Sequence, residues 1–219
     1  MPNEAKDVML VFPHPGTVAA DFALSLVSVT RDPTRIAGIA DLRTGPFMSG
    51  ARNDLAGLFL ASGLEWLWMV DADMVFNEHT LPAMLAWADP EEVPLLGAYC
   101  WAMTRDGAMV VTAYRADKDD NGRFGLSSLI ATDLPDNSLV KVEATGAACL
   151  LAHRTVFTRI NTHTGTDQQW FNEQTIDGRP FGEDLSFCLR AGAAGIPLYV
   201  HTGIQAGHMR DMQLGQVHP

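Results

Sequence analysis

Short apolar runs and stretches of helical periodicity alternate through the first hundred residues. Val8 to Phe12 is an apolar run closed by Pro13, and Val18, Phe22, Leu26 and Val29 then recur at helical spacing, which predicts a strand followed by a helix. Ile36 to Ala40 predicts a second strand ending on Asp41. After the Gly45-Pro46 break, Leu55, Leu58 and Phe59 mark the inner face of a second helix, stopped by Gly63. Trp66 to Val70 is apolar without interruption, the pattern of a strand covered on both faces, and it ends abruptly at Asp71-Ala72-Asp73. Leu81, Met84, Leu85 and Ala88 supply a third helical face, and Leu95 to Tyr99 a further strand. This alternation predicts an α/β fold with a mostly parallel sheet flanked by helices, and such sheets bind ligands beyond the carboxyl ends of their strands. Asp41, Asp71 and Asp73 all fall there.

The second half reads differently. Met109 to Tyr114 and Gly125 to Ile130 predict strands on either side of the polar turn Asp117 to Gly122, hence a smaller antiparallel region. Val140 to Ala152 is apolar around Gly146, a short helix is expected from Thr155 to Ile160, and a polar loop from Asn161 to Gln169 precedes Trp170-Phe171. A last helix begins near Glu183, turns Leu185, Cys188 and Leu189 inward and ends between Gly192 and Gly195, before a strand from Ile196 to Val200. With no internal repeat or low-complexity stretch, 219 residues read as one domain with two sub-regions, since a typical domain has ~150.

Charge narrows the ligands. Fifteen Lys and Arg against 26 Asp and Glu leave a formal charge of -11, which repels a nucleic-acid backbone, so no direct nucleic-acid binding is expected. A phosphorylated small substrate is repelled too unless a divalent cation or a few arginines offset the field locally. A charged share of 19% with 47% hydrophobic residues excludes a mostly disordered chain. Cys100, Cys149 and Cys188 are odd in number, far apart and without CxxC spacing, so buried free thiols and a reducing, cytoplasmic setting are expected. No apolar stretch reaches the ~18 residues of a membrane span, and Met-Pro-Asn-Glu-Ala-Lys-Asp at the start is not a signal peptide.

Three groups of residues carry candidate chemistry. Asp71 and Asp73 are two apart, so extended backbone sends both side chains to one side, where they could share a hard divalent ion. Glu183 and Asp184 follow Gly182 at a helix start, where acids also serve simply to complement the macrodipole. His208, in Ala206-Gly207-His208-Met209, stands beyond the last predicted strand as an exposed loop histidine or a metal ligand.

Taken in order, these elements resemble the GT-A class of glycosyltransferases, especially its soluble family 2-like enzymes. The resemblance rests on Val11-Phe12-Pro13 at the first strand end, Gly50-Ala51-Arg52-Asn53 opening a helix, and the Asp-x-Asp (DxD motif) after Trp66 to Val70. It continues through Ala144-Thr145-Gly146 to Leu151, Phe181-Gly182-Glu183-Asp184 to Arg190, Gly195 to Val200 and the terminal Gly207-His208, and so covers nearly the whole chain. It implies a single Rossmann-like domain over 1–219, with about 1–100 binding a nucleotide sugar and about 101–219 forming the acceptor side and a metal-binding C-terminal loop. It also implies a UDP- or GDP-sugar donor, an acceptor that is a glycan, protein or small molecule, and Mn2+ or Mg2+ as cofactor. By the same resemblance Asp71 lies on the ribose side and, with Asp73 and His208, at the metal, while Asp41 reads the base and Arg52, Pro13 and Gly146 border the nucleotide. Asp184 becomes the base of an inverting transfer and Glu183 its neighbour. Helix or strand capping for Asp41 and a surface ion pair for Arg52 are the plainer alternatives. Pro13-His14-Pro15-Gly16 departs from the Pro-Thr-Tyr-Asn common in the family.

Other chemistries fit less of the chain. Val70-Asp71-Ala72-Asp73-Met74-Val75 also suits a haloacid-dehalogenase-like phosphatase with Asp71 as nucleophile, but the acidic pair Asp119-Asp120 lies in a polar turn. A sugar-nucleotide pyrophosphorylase needs a Gly-rich phosphate loop that Pro13 to Gly16 does not make. Asp117-x-Asp119-x-Asn121-Gly122 begins like an EF-hand loop, yet position twelve is Ser128 and the flanks are strand-like. A GT-A-like protein that binds a nucleotide sugar without transferring it is a further alternative. For Trp170, stacking on an acceptor sugar competes with plain core packing.

Overall fold

The computed structural model describes residues 8–31, 35–45, 47–104 and 106–209; the expected break at Pro46 and the first seven residues lie outside that set. In chain order the elements are β1 (Val8–His14), α1 (Ala20–Val29), β2 (Ile36–Arg43), α2 (Met48–Ser62), β3 (Trp66–Val70), β4 (Met74–Val75), α3 (Thr80–Trp87) and β5 (Leu95–Tyr99). There follow β6 (Trp101–Met103), β7 (Met109–Val111), β8 (Ala113–Lys118), β9 (Phe124–Ser128), β10 (Leu139–Val142), β11 (Ala144–Thr145) and β12 (Cys149–His153). The chain then forms α4 (Arg154–Thr164), β13 (Gln174–Ile176), β14 (Arg179–Phe181), α5 (Glu183–Ala193), β15 (Leu198–Gln205) and β16 (Gly207–His208).

Seven strands form one sheet in the order β10-β15-β5-β12-β3-β1-β2. Strands β2, β1, β3, β5 and β15 point the same way, whereas β12 and β10 run against them. The sheet is therefore mostly parallel, with one reversed strand at its centre. Alternation along β3 explains its unbroken apolar sequence: Leu67 and Met69 enter a cluster with Leu55, Phe59, Phe157 and Phe187, from α2, α4 and α5. Trp66, Trp68 and Val70 face the opposite cluster with Phe22, Leu81 and Met84, from α1 and α3. Both faces are covered, and each fully buried large apolar side chain contributes roughly 1.5–3 kcal/mol over leaving it in water.

Several boundaries differ from the sequence pattern. The apolar stretch Val140 to Ala152 is cut into β10, β11 and β12, because β10 pairs with β15, β11 turns to pair with β8, and Gly146 to Ala148 run outside any strand before β12. Val18 precedes α1 and Leu58 is half exposed, so neither is core. Helix α4 runs on to Thr164 and is stopped by Gly165 in the left-handed region, φ 68°. Leu185 and Leu189 are only partly buried, and Phe187, Cys188 and Ala191 form the inward face of α5. Trp170 is core: it is 1% exposed, its Nε1–H donates to the Phe157 carbonyl at 3.1 Å, and its ring meets Phe157 edge-on. The expected hairpin forms as β8–β9 around Asp119 to Gly122, but its first strand is Ala113–Lys118, and Met109–Val111 is a separate strand, β7, paired with β6. Asp119 there accepts from the N–H groups of Asn121 and Arg123 and from the guanidinium groups of Arg123 and Arg179, which leaves it no role as a calcium ligand.

Candidate functional site

The chain leaves the buried strand β3 at Val70 and turns immediately, with the Asp71 N–H donating to the Ala148 carbonyl at 2.9 Å. Two residues on, β4 pairs antiparallel with β16, His208 opposite Met74, so the end of the described chain lies across the Asp-x-Asp turn. The Met209 N–H donates to the Asp73 carbonyl at 2.8 Å and fixes this return. As a result His208 Nε2 stands 3.1 Å from Asp73 Oδ2, while its Nδ1 stands 3.1 Å from the Trp101 carbonyl at the start of β6. Both ring nitrogens thus face acceptors.

Asp71 takes a different partner. Arg52, in the second turn of α2 rather than at its start, is 3% exposed and donates through Nη2 to Asp71 Oδ1 at 2.8 Å. Its Nε lies 3.4 Å from Glu183 Oε1 and its Nη1 3.4 Å from the Ala147 carbonyl. The plainer alternative named a surface ion pair; an ion pair is present, but it is buried, and the guanidinium hydrogen-bonds to groups of the protein. The carboxylates of Asp71, Glu183 and Asp184 together hold Arg52 charged against the cost of its burial. Among the described residues no three His, Cys, Asp or Glu side chains converge as a ready-made metal cage; Asp73 and His208 meet, and Asp71 is drawn aside.

Asp184 opens α5 behind Gly182, and its Oδ1 accepts from the Leu185 N–H at 2.7 Å. The macrodipole alone would keep it ionised, but burial, followed by the like charge of Glu183, pushes its carboxyl above the usual range despite Arg52. A Cβ added at Gly146 would sit 3.6 Å from Asp184 Oδ2, in contact with that carboxyl. Asp41 is 58% exposed and pairs with His14, Oδ2 to Nε2 at 3.0 Å. His14, from the motif that departs from the family pattern, is the partner that sequence reasoning missed.

A cavity of about 790 Å³ opens at the carboxyl ends of β1 and β3, walled by Pro13, Pro15, Val18, Met48 and Met209. Its charged lining is Asp21, Asp71 and Asp73, with no basic side chain among the described residues. Met48 lies in the first turn of α2, whose cap Phe47 makes no side-chain hydrogen bond and which carries no acid there. The positive end of that helix is therefore not neutralised by its own residues.

A mostly parallel sheet with one reversed central strand, helices on both faces and an Asp-x-Asp at a strand end defines a fold of the GT-A type. The crystal structure of GalNAc-T7 with UDP, GalNAc and Mn2+ is similar at a TM-score of 0.62 and 10% identity, over 95% of this chain and 45% of that one. A197 from STIV is similar at 0.58 and 14% identity, over 94% of this chain and 86% of that one. No protein-family profile and no curated protein matches the sequence. No helix among the described residues is long and apolar enough to cross a membrane.

Proposed function

We propose that this protein is a metal-dependent, family 2-like glycosyltransferase that moves a sugar from a UDP- or GDP-sugar to a glycan, protein or small-molecule acceptor. The observation that carries the reading is the acid-lined cavity at the carboxyl end of the sheet, beside a carboxylate–imidazole pair set like two metal ligands. An octahedral ion bound at 2.0–2.1 Å has neighbouring ligand atoms about 3 Å apart, and Asp73 Oδ2 and His208 Nε2 are 3.1 Å apart. The Trp101 carbonyl orients the ring as a supporting partner does in metal sites. Mn2+ or Mg2+, when bound, offsets the charge that develops on a diphosphate leaving group.

The chain's own residues divide the remaining work. Asp71 offers the oxygen not held by Arg52 to the ribose side, Pro13 walls the cavity, and Asp41, steadied by His14, stands at the β2 end for the base. Gly146 leaves room above Asp184, Glu183 steadies the acceptor, and Asp184 accepts the proton of the attacking hydroxyl as the glycosidic bond breaks, giving inversion. On this reading residues 1–100 hold the donor and 101–219 the acceptor, and the three buried free thiols support a reducing compartment such as the cytoplasm. The phosphatase alternative is disfavoured because Arg52 ties up an oxygen of its would-be nucleophile. The test is a screen of nucleotide sugars for release of nucleoside diphosphate. Release that stops with chelator supports transfer; donor bound tightly and never turned over makes this a binding protein; release from simple phosphate esters favours the phosphatase.

A further inference from the structure

Beyond Tyr99, at the carboxyl end of β5, the chain folds back on itself as the hairpin β6–β7. Trp101 pairs with Val111 and Met103 with Met109, so these four side chains share one face of the hairpin. The inner end of that face is core: Val111 is buried, and half-buried Trp101 packs on the cluster that α5 enters, its ring edge-on to Tyr99. The outer end is open, with Met103 43% and Met109 64% exposed. Single exposed apolar side chains need no explanation, but here three neighbours run unbroken from core to solvent. Among the described residues of 101–111 the only charge is Asp106.

The foot of the hairpin borders the candidate site. The Trp101 carbonyl lies 3.1 Å from His208 Nδ1, and the Thr112 N–H, just past β7, donates to the Cys100 carbonyl at 2.9 Å. A Cβ built on Gly146 would meet the Thr112 Cβ and Asp184 Oδ2 at 3.6 Å each, so one glycine separates the hairpin's foot from the carboxylate proposed as base. Arg52 is buried there and paired with Asp71 and Glu183, so it offers an incoming anion no open charge. An acceptor reaching Asp184 thus meets carboxylates on one side and an apolar shelf on the other. We infer that the acceptor is a neutral glycoside with an alkyl or aryl aglycone, and that Trp101, Met103 and Met109 bind the aglycone. This rests on the glycosyltransferase reading and narrows its acceptor. Methionines adapt to chains of varied shape, whereas an anionic lipid phosphate would face uncompensated acids. The transfer is the one already proposed: the hydroxyl oxygen bonds the anomeric carbon, its proton passes to Asp184, and the nucleoside diphosphate leaves with the electrons of the broken bond.

The experiment titrates butyl and octyl β-D-glucopyranoside, below micelle formation, into the full chain with UDP or GDP and Mn2+ by calorimetry, with octyl phosphate as the anionic probe. The ratio of the two glucosides cancels whatever the sugar contributes. A methylene taken wholly out of water tightens binding about fourfold, and one laid on an open face about twofold, so octyl should bind about tenfold or more tightly than butyl. Met103→Ser with Met109→Ser, at exposed positions, should erase most of that ratio and leave the melting temperature and the nucleotide affinity as they were; the two Met→Leu changes should keep it. Leu24→Ser, which trims a 68% exposed side chain on α1, should not alter the ratio. Octyl phosphate should bind about tenfold or more weakly than octyl glucoside.

A ratio near one, a ratio that survives the two Met→Ser changes, or octyl phosphate bound as tightly as the glucoside overturns the inference. So does a wild type that sediments as a dimer where the Met→Ser pair is a monomer, which gives the face to a second copy, or a ratio that appears only when residues 210–219 are removed, which gives it to that segment. In each case a nucleoside diphosphate still released from a nucleotide sugar leaves the proposed function standing. Should chain length matter while no nucleotide or nucleotide sugar binds, the shelf is not an acceptor site, and the inference and the proposed function fall together.

Discussion

Replacing Asp184 by Asn separates a catalytic carboxylate from a structural one by the sign of two effects. Asparagine keeps the shape and can still accept the Leu185 N–H that Asp184 Oδ1 accepts at 2.7 Å, so the start of α5 is preserved. What it removes is a charge that burial and Glu183 both disfavour. The folded state therefore holds the Asp184 proton more tightly than the unfolded chain does. By linkage, stability falls as the pH rises from the unfolded carboxylate range, near 3.9, through the raised native value. Asp184→Asn should thus melt higher than the wild type at pH 7 and lose the advantage below pH 4. Removing a general base costs ~100-fold to 10,000-fold in rate, equivalent to about 3–5 kcal/mol of barrier. Transfer should fall by that factor while the donor binds as before, and the wild-type rate should rise with pH through the raised value. Differential scanning calorimetry across pH, with single-turnover kinetics and NMR of the product's anomeric configuration, reads all three. A variant that is both less stable and nearly as fast would reduce Asp184 to a helix cap, and a retained anomeric configuration would remove it as the base of an inverting step.

Other perturbations have equally definite outcomes. His208→Ala removes one charge-assisted contact made at 3.1 Å, worth about 1.5–3 kcal/mol, so calorimetry should find Mn2+-dependent UDP or GDP binding roughly 10-fold to 150-fold weaker; unchanged affinity would exclude the imidazole as a ligand. Gly203→Ala, in β15, places a Cβ into the Asn137 carboxamide and 3.1 Å from its Cα, and should cost roughly 1–3 kcal/mol in urea unfolding with the nucleotide site intact. Burial pushes the Cys149 and Cys188 thiols up to about 12, so a disulfide reagent at pH 8 should modify neither until the protein unfolds; rapid labelling of the native chain would contradict their burial.

The parts of this molecule legible in its sequence are those decided by near neighbours. Unbroken apolarity set the span of β3 at Trp66 to Val70 and of β5 at Leu95 to Tyr99, and Gly63, at φ 79°, ends α2 where its missing side chain allows the left-handed turn. The position of Asp71 and Asp73 at a strand end followed from the same pattern. Strand direction did not, since an apolar run such as Cys149 to His153 looks alike read either way. Arg52 read as a helix-start residue waiting for an anion because its partners lie 19 and 131 positions away, and nothing local announces them. The upward shift of the Asp184 carboxyl is illegible locally for a related reason: the macrodipole belongs to its own helix, but the burial that raises the carboxyl comes from the surroundings. His14 and Asp41 are 27 residues apart and meet because β1 and β2 are parallel neighbours, their ends level.

Reversing one strand has a consequence for how this architecture can change. In a sheet of parallel strands each strand gives its working rim one loop, the one that follows it. Strand β12 gives that rim the loop that precedes it: Cys149 lies opposite Val70, so Gly146 to Ala148 emerge beside Asp71 while His153 ends at the far rim. Lengthening or shortening the chain just before Cys149 therefore remodels the backbone that holds the Asp71 N–H and leaves the ladder from Cys149 to His153 in register. The same edit after His153 disturbs the start of α4 and never reaches the cleft. Diversity in what such a protein accepts can accumulate in the three-residue stretch 146–148, between β11 and β12, without renegotiating the sheet that supports it.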